Sequence, residues 1–266
     1  MQSTSQFRIK SLVVIALLTF VFGVRLSAGE LESGEGGEEN YQNYFTKTLP
    51  KNLLLGANNT FRGWNLAILG TGTGASLLLS QTDADREIQE SLSNSLGKFG
   101  DIGDIAGNAL TLAGINTALF VIGSSSNDEK LIQTAKALLE ANILTAFSTS
   151  VLKLTVGRER PDGSGTRFTS SFPSGHTSGS FALASTAHSM YGHKIGIPLY
   201  VFAGFVGLSR ISDNKHFLSD VLFGAALGTA IGRGVAKVHK NEKRDRFSLM
   251  PFSDGQSSGV MLTLSW

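Results

Sequence analysis

Apolar residues in this chain gather into blocks instead of alternating with polar ones. Six blocks have helical length: 63–80, 105–123, 131–152, 177–191, 195–208 and 217–238. Their many small residues suit close helix packing, so the pattern predicts an all-α six-helix bundle. The first two blocks run uncharged for about 19 to 20 residues, long enough to cross a bilayer. The others are interrupted sooner: 12 residues separate Glu140 from Lys153, 15 separate Lys194 from Arg210, and 12 separate Asp220 from Arg233. Runs this short favour buried core helices. The balance points to a periplasmic or membrane-associated bundle, with an integral membrane protein as the neighbouring reading. The last twenty residues change period. Segments 247–252 and 259–266 flank Ser253-Asp254-Gly255, a strand–turn–strand pattern predicting a short C-terminal β-hairpin. Its place is either against the bundle or at an outer membrane or dimer contact.

The N-terminus adds a compartment. Arg8 and Lys10 precede an apolar stretch over 11–24, followed by Leu26-Ser27-Ala28, the layout of a signal peptide or an uncleaved anchor. Removal of 1–28 would take away three basic residues and no acidic ones. The remaining 20 basic and 21 acidic side chains balance, which excludes a charge-driven nucleic-acid partner. Residues 29–50 begin with a Gly- and Glu-rich run that reads as a tether. The predicted division is therefore 1–28 signal, 29–50 tether, 51–240 main domain, and 241–266 basic linker and hairpin. The chain contains no cysteine, so packing alone must hold it.

Chemistry concentrates in three polar segments beside the apolar blocks. The first holds Lys153 and Arg160, seven residues or about two turns apart, with Pro161 expected to end their helix. The second is Pro173-Ser174-Gly175-His176, with Ser174 as N-cap of the block that follows. A helix start presents unpaired backbone N–H groups to an oxyanion, and Gly175 permits close approach. His176 in the first turn suits a general acid. The third runs from Ser209-Arg210 to His216 and Asp220. Four residues apart, His216 and Asp220 share one face of a helix. The carboxylate can then hold Nδ1–H and leave Nε2 to attack. Arg210 can grip an anion with two nitrogens.

The ordered pattern Lys-x6-Arg-Pro, Pro-Ser-Gly-His, Ser-Arg-x5-His-x3-Asp resembles the type 2 phosphatidic acid phosphatases, whose superfamily also holds class A acid phosphatases and vanadium haloperoxidases. The resemblance covers roughly 131–240. It implies a metal-independent phosphomonoesterase with no cofactor, acting through a phosphohistidine on His216. His176 would protonate the leaving alcohol and Asp220 would orient His216. Lys153, Arg160, Arg210 and the backbone at Ser174 and Gly175 would hold the phosphoryl oxygens. The substrate is a phosphorylated lipid or a small phosphate ester, and the sequence leaves that choice and the oligomeric state open. Two alternatives stand beside it: a vanadate-dependent haloperoxidase, and a non-catalytic envelope protein. Arg158 and Arg167 lie near the motifs as candidate substrate contacts. His188, His193 and His239 match no motif and read as structural or exposed. The run Gly70-Thr-Gly-Thr-Gly74 lacks the lysine of a phosphate loop and reads as helix packing.

Overall fold

A computed structural model describes residues 41–245, 247–253 and 258–264. The predicted signal segment and tether up to residue 40 lie outside the described residues. A helical lead-in, Tyr41–Asn43 and the π-helical Tyr44–Thr48, runs into α1 (Leu49–Thr60). The helical bundle thus takes in residues 41–50, which the sequence division placed in the tether. There follow α2 (Trp64–Ser80), α3 (Ala84–Leu92), α4 (Phe99–Gly107), α5 (Ala109–Ser125), α6 (Glu129–Val156), α7 (Gly175–Tyr191), α8 (His193–Ser212) and α9 (Leu218–Asp245). Strands β1 (Phe247–Ser253) and β2 (Ser258–Leu264) then pair antiparallel, Phe247 opposite Leu264 and Ser253 opposite Ser258, as the expected hairpin.

All six apolar blocks are helical. The second is not continuous: α4 and α5 meet at a 60° bend. Asn108 makes the break by leaving helical geometry (ψ 156°) and accepting the Thr111 N–H on its side chain at 2.9 Å. Three short helices escaped the pattern. α1 is interrupted by Asn and Gly, while α3 and α4 have nine residues each, too few to show a period.

α7 is the central helix, packed on α6, α8 and α9. Its contact with α9 is made backbone to backbone. Gly224, Gly228 and Gly232 lie four apart on α9, so they share one face. A Cβ at Gly228 would stand 2.1 Å from the Ser178 carbonyl oxygen, and one at Gly232 would stand 2.5 Å from that of Ala182. Gly72 of α2 meets Ala226 in the same way, at 2.2 Å, whereas Gly70 and Gly74 meet nothing. The packing reading of the Gly70–Gly74 run therefore holds at its middle glycine.

The outward faces are apolar. Leu78 of α2 is 72% exposed, Phe147 of α6 67% and Val201 of α8 70%. Similar side chains line α4 and α5. α6, α8 and residues 218–240 of α9 are long and apolar enough to cross a membrane, as is the bent α4–α5 pair taken together. Glu140, counted by the sequence as an interruption, is wholly buried inside the bundle. It accepts hydrogen bonds from Tyr44 (3.0 Å) and Asn52 (3.1 Å) and contacts His239 at 2.8 Å. A carboxylate so enclosed never meets lipid, so it does not shorten the apolar surface of α6. The exposed apolar belt is that of a membrane-associated protein.

Candidate active site

The three motif segments converge at one mouth of the bundle, each from a helix end. Lys153 stands in the last turn of α6. That helix stops at Gly157, whose left-handed conformation (φ 62°, ψ 27°) turns the chain and donates its N–H to Lys153. The stop comes before Pro161, so Arg160 sits in the following loop and not on the helix of Lys153. The loop is pinned locally. Arg160 donates Nε to the Thr169 carbonyl at 2.8 Å, Ser171 donates its N–H to the Arg158 carbonyl at 2.7 Å, and Lys153 donates to the carbonyl of Ser170. Arg167 donates Nε to the Leu154 carbonyl at 3.1 Å.

Ser174 occupies the N-cap position of α7 with extended geometry, but its hydroxyl caps no backbone group. It accepts instead from the Thr177 hydroxyl at 2.9 Å. The first-turn N–H groups of α7 are thereby left to other partners, with the dipole behind them. Ser174 donates its own N–H to the backbone carbonyl of Asp220 at 3.2 Å, which ties the second motif to the third.

His216 precedes α9, so it and Asp220 do not share one helix. Only Asp220 is helical, in the first turn. The two remain neighbours: Nδ1 lies 3.7 Å from Oδ2. That is longer than a direct hydrogen bond. Asp220 is instead a hub. Its Oδ2 accepts from the Ser171 hydroxyl at 2.5 Å and the Phe217 N–H at 2.9 Å, and its Oδ1 accepts from Arg158 at 2.8 Å. Ser171 Oγ also stands 3.5 Å from His216 Nδ1. No described residue hydrogen-bonds His216 Nε2, the nitrogen left for chemistry. Burial pushes the His216 imidazole down to about 4, opposed by Asp220 and reinforced by Lys153 and Arg160. At neutral pH the ring is uncharged.

Two further carboxylates complete the mouth, both on the short helices that carried no sequence signal. Asp85 of α3 accepts from Arg158 at 2.9 Å, from the Ser219 N–H at 3.0 Å and from the Ser219 hydroxyl at 2.5 Å. It thus braces the start of α9 and holds Arg158 against Asp220. Asp104 of α4 lies 3.3 Å from His176 Nε2 and also accepts from Arg210. The other arm of Arg210 donates to Asp213. Arg158 is therefore a partner of Asp85 and Asp220 and not a free cation, and its Cζ stacks over the Phe217 ring at 4.1 Å. Ser171, Asp85 and Asp104 carry no local pattern. Their roles come from contacts across 49 to 134 positions in sequence.

Beside His176 a cavity of about 380 Å³ opens between α5, α6 and α7. Leu112, Ala113, Leu139, Ile143 and Ala146 give it a largely apolar wall, Asn116 and Thr145 add buried oxygens with no hydrogen-bond partner among the described residues, and Gly175 leaves open space beside the histidine.

Residues 134–244 match the model of the PAP2 superfamily, and that range encloses all three motifs. A lipid A 1-phosphatase of Porphyromonas gingivalis is 45% identical over 83 residues, 30% of this chain and 18% of its own length. A PA-phosphatase related-family protein of Dictyostelium discoideum is 31% identical over 132 residues, 40% of this chain and 48% of its own. The chain thus spans less than half the length of either relative. A crystal structure of a transmembrane PAP2-type phosphatidylglycerolphosphate phosphatase from Bacillus subtilis resembles 76% of this chain and 100% of its own, at 21% identity and a TM-score of 0.45.

Proposed function

We propose, for a chain whose residues 134–244 are a PAP2 superfamily segment, that it is a membrane phosphatase removing phosphate from a lipid phosphomonoester. His216 Nε2 would attack phosphorus in line with the leaving oxygen, forming a phosphohistidine as the ester P–O bond breaks. His176 would give the leaving alkoxide a proton. A water would then attack the phosphohistidine, giving its proton to His176 and releasing phosphate and free His216. Lys153, Arg160, Arg210 and the first-turn N–H groups of α7 would hold the non-bridging oxygens, whose charge the transition state redistributes. Asp220 would fix the ring of His216, and Arg158 and Ser171 would fix Asp220. Every function in this scheme is assigned to a side chain or backbone group of the chain itself, so the proposed reaction needs no metal.

The apolar cavity beside His176 carries the lipid reading. A soluble ester has no use for a mainly apolar space between helices, whereas an acyl or prenyl chain would fill it while its phosphate lay at the mouth. The exposed apolar belt on α2, α6 and α8 supports the same reading, because a lipid chain would meet such a surface before it entered the cavity. The Porphyromonas relative's name makes a lipid A phosphate one candidate substrate.

The test is phosphate release from a lipid phosphate and a soluble aryl phosphate, side by side, with a chelator present and His216→Ala as control. Lipid turnover at least tenfold above that of the aryl ester, abolished by the substitution, is expected. Equal or better turnover of the soluble ester would refute the lipid assignment. Loss of activity to the chelator would refute metal independence.

A further inference from the structure

The end of α7 opposite the catalytic mouth holds a larger cavity, about 810 Å³. With 17 residues in α7, about 25 Å separates the two ends. Arg62 from the α1–α2 connection and Arg233, Lys237 and Lys240 from α9 line this basin, with His188 and His193 on its wall. Among the described residues no aspartate or glutamate lines it. None of the four cations forms a salt bridge with a described residue, whereas Arg158 and Arg210 at the mouth each face two carboxylates.

The basin is built, not a loose run of surface charge. Arg233 donates Nε to Asn65 at 3.0 Å; Asn65 donates to the Asn59 carbonyl at 3.0 Å, and Asn59 to that of Gly234 at 3.2 Å. This relay fixes one guanidinium on the wall of the cavity. Gathering four like charges around one concavity is unfavourable unless an anion shares it. A planar guanidinium together with point-charge ammonium groups matches the oxygens of a phosphate. Trp64 at the rim is 80% exposed, a placement suited to the headgroup level of a bilayer. His188 and His193 contact each other, Nε2 to Nδ1 at 3.0 Å, and no described carboxylate orients either ring. The basin therefore has the equipment to hold an anion and not to cleave it.

We propose that this basin is a second, non-catalytic phosphate site, which takes the phosphate of an anionic lipid headgroup or a free phosphate ion. The test titrates the full chain in detergent with two probes in turn. One is inorganic phosphate; the other is short-chain phosphatidylglycerol in zwitterionic micelles, with phosphatidylcholine as the neutral control. The comparison is with Arg62→Gln/Lys237→Gln/Lys240→Gln. Loss of one class of bound probe, by tenfold or more in affinity, is expected, while KM for a soluble aryl phosphate at the mouth stays unchanged. Loss confined to the lipid identifies a headgroup site, and loss confined to inorganic phosphate identifies a soluble-anion site; either supports the proposal. Unaltered binding of both probes overturns it. Should the triple variant not fold, Arg62→Gln alone, on an exposed connection, is expected to weaken the same class about threefold, and no change would again overturn the site. The two binding titrations are read without turnover, so an inactive enzyme would remove only the KM control and leave them intact.

Discussion

Two buried histidine–carboxylate pairs lie in this bundle, and they do different things. His216 and Asp220 stand at the mouth with 3.7 Å between them, and no described residue hydrogen-bonds Nε2. His239 and Glu140 stand in the core at 2.8 Å, and the other ring nitrogen of His239 lies 3.1 Å from the side-chain amide oxygen of Gln133, Oε1. Both histidines are equally buried, at 3% exposure, so burial does not separate them. The number of ring nitrogens already engaged does. A ring held at both nitrogens braces three helical segments, α6, α9 and the lead-in through Tyr44. A ring engaged on one side only keeps a nitrogen open, as the proposed attack requires. The difference extends to the carboxylates: Asp220 is surrounded by donors belonging to the mouth, whereas Glu140 is surrounded by donors that close the core.

The sharpest way to break this contrast is to exchange the losses. His216→Ala is expected to lower kcat by about 10⁴-fold or more while leaving Tm nearly unchanged. His239→Ala is expected to leave kcat within a few-fold and to cost about 3 kcal/mol, because Glu140 loses a buried partner. Phosphate release and thermal unfolding on both variants decide it, and a catalytic collapse in His239→Ala would erase the distinction. Next in size is Arg158→Ala, which removes one donor from Asp220 without touching the mouth's anion site. A loss of about 10- to 100-fold in kcat with KM near constant is expected. A change confined to KM would make Arg158 a substrate contact instead.

The acid limb of kcat/KM sharpens the comparison further. His216 titrates at about 4 against a usual 6.5, so it stays neutral and competent until the pH approaches 4. A profile on a soluble ester falling near 4 is expected, and a fall near 6.5 would contradict the burial argument. The sign for stability follows from proton uptake. Below 6.5 the unfolded chain protonates this histidine first, so its contribution to stability is complete above 6.5, erodes as pH falls, and is gone below about 4. The smallest effect is expected of Asp104→Asn. It removes a negative charge that sits on both His176 and Arg210, and KM for a phosphate ester should fall about three- to fivefold. A rise in KM would mean that Asp104 orients those groups instead of competing for them.

The sequence showed the parts of the site that are local and hid those that are not. Lys153, Arg160, Ser174, Gly175, His176, Arg210, His216 and Asp220 all reach one mouth because each lies within a few residues of a helix end, and helix ends are marked by local composition. Asp85 and Asp104 were invisible because a single aspartate on a nine-residue helix has neither motif nor period. The same limit misplaced the helix stop at Pro161, where the earlier Gly157 acts first, and joined α4 to α5 across Asn108. Glu140 misled differently. Counting charges along a helix cannot tell one facing lipid from one enclosed by Tyr44, Asn52 and His239, whose positions span nearly 200 residues of chain.

The stripe of Gly224, Gly228 and Gly232 also works as a ruler. Carbonyls of α7 fit against bare backbone on α9 only where a glycine lies, so the two helices can engage only at four-residue steps. One step amounts to about 6 Å of travel. That distance is larger than every contact that seats Asp220 among Ser171, Phe217 and Arg158. A misplaced α9 would therefore be wrong by a whole notch and never by a fraction, and the chemistry at its tip inherits a position measured several turns away.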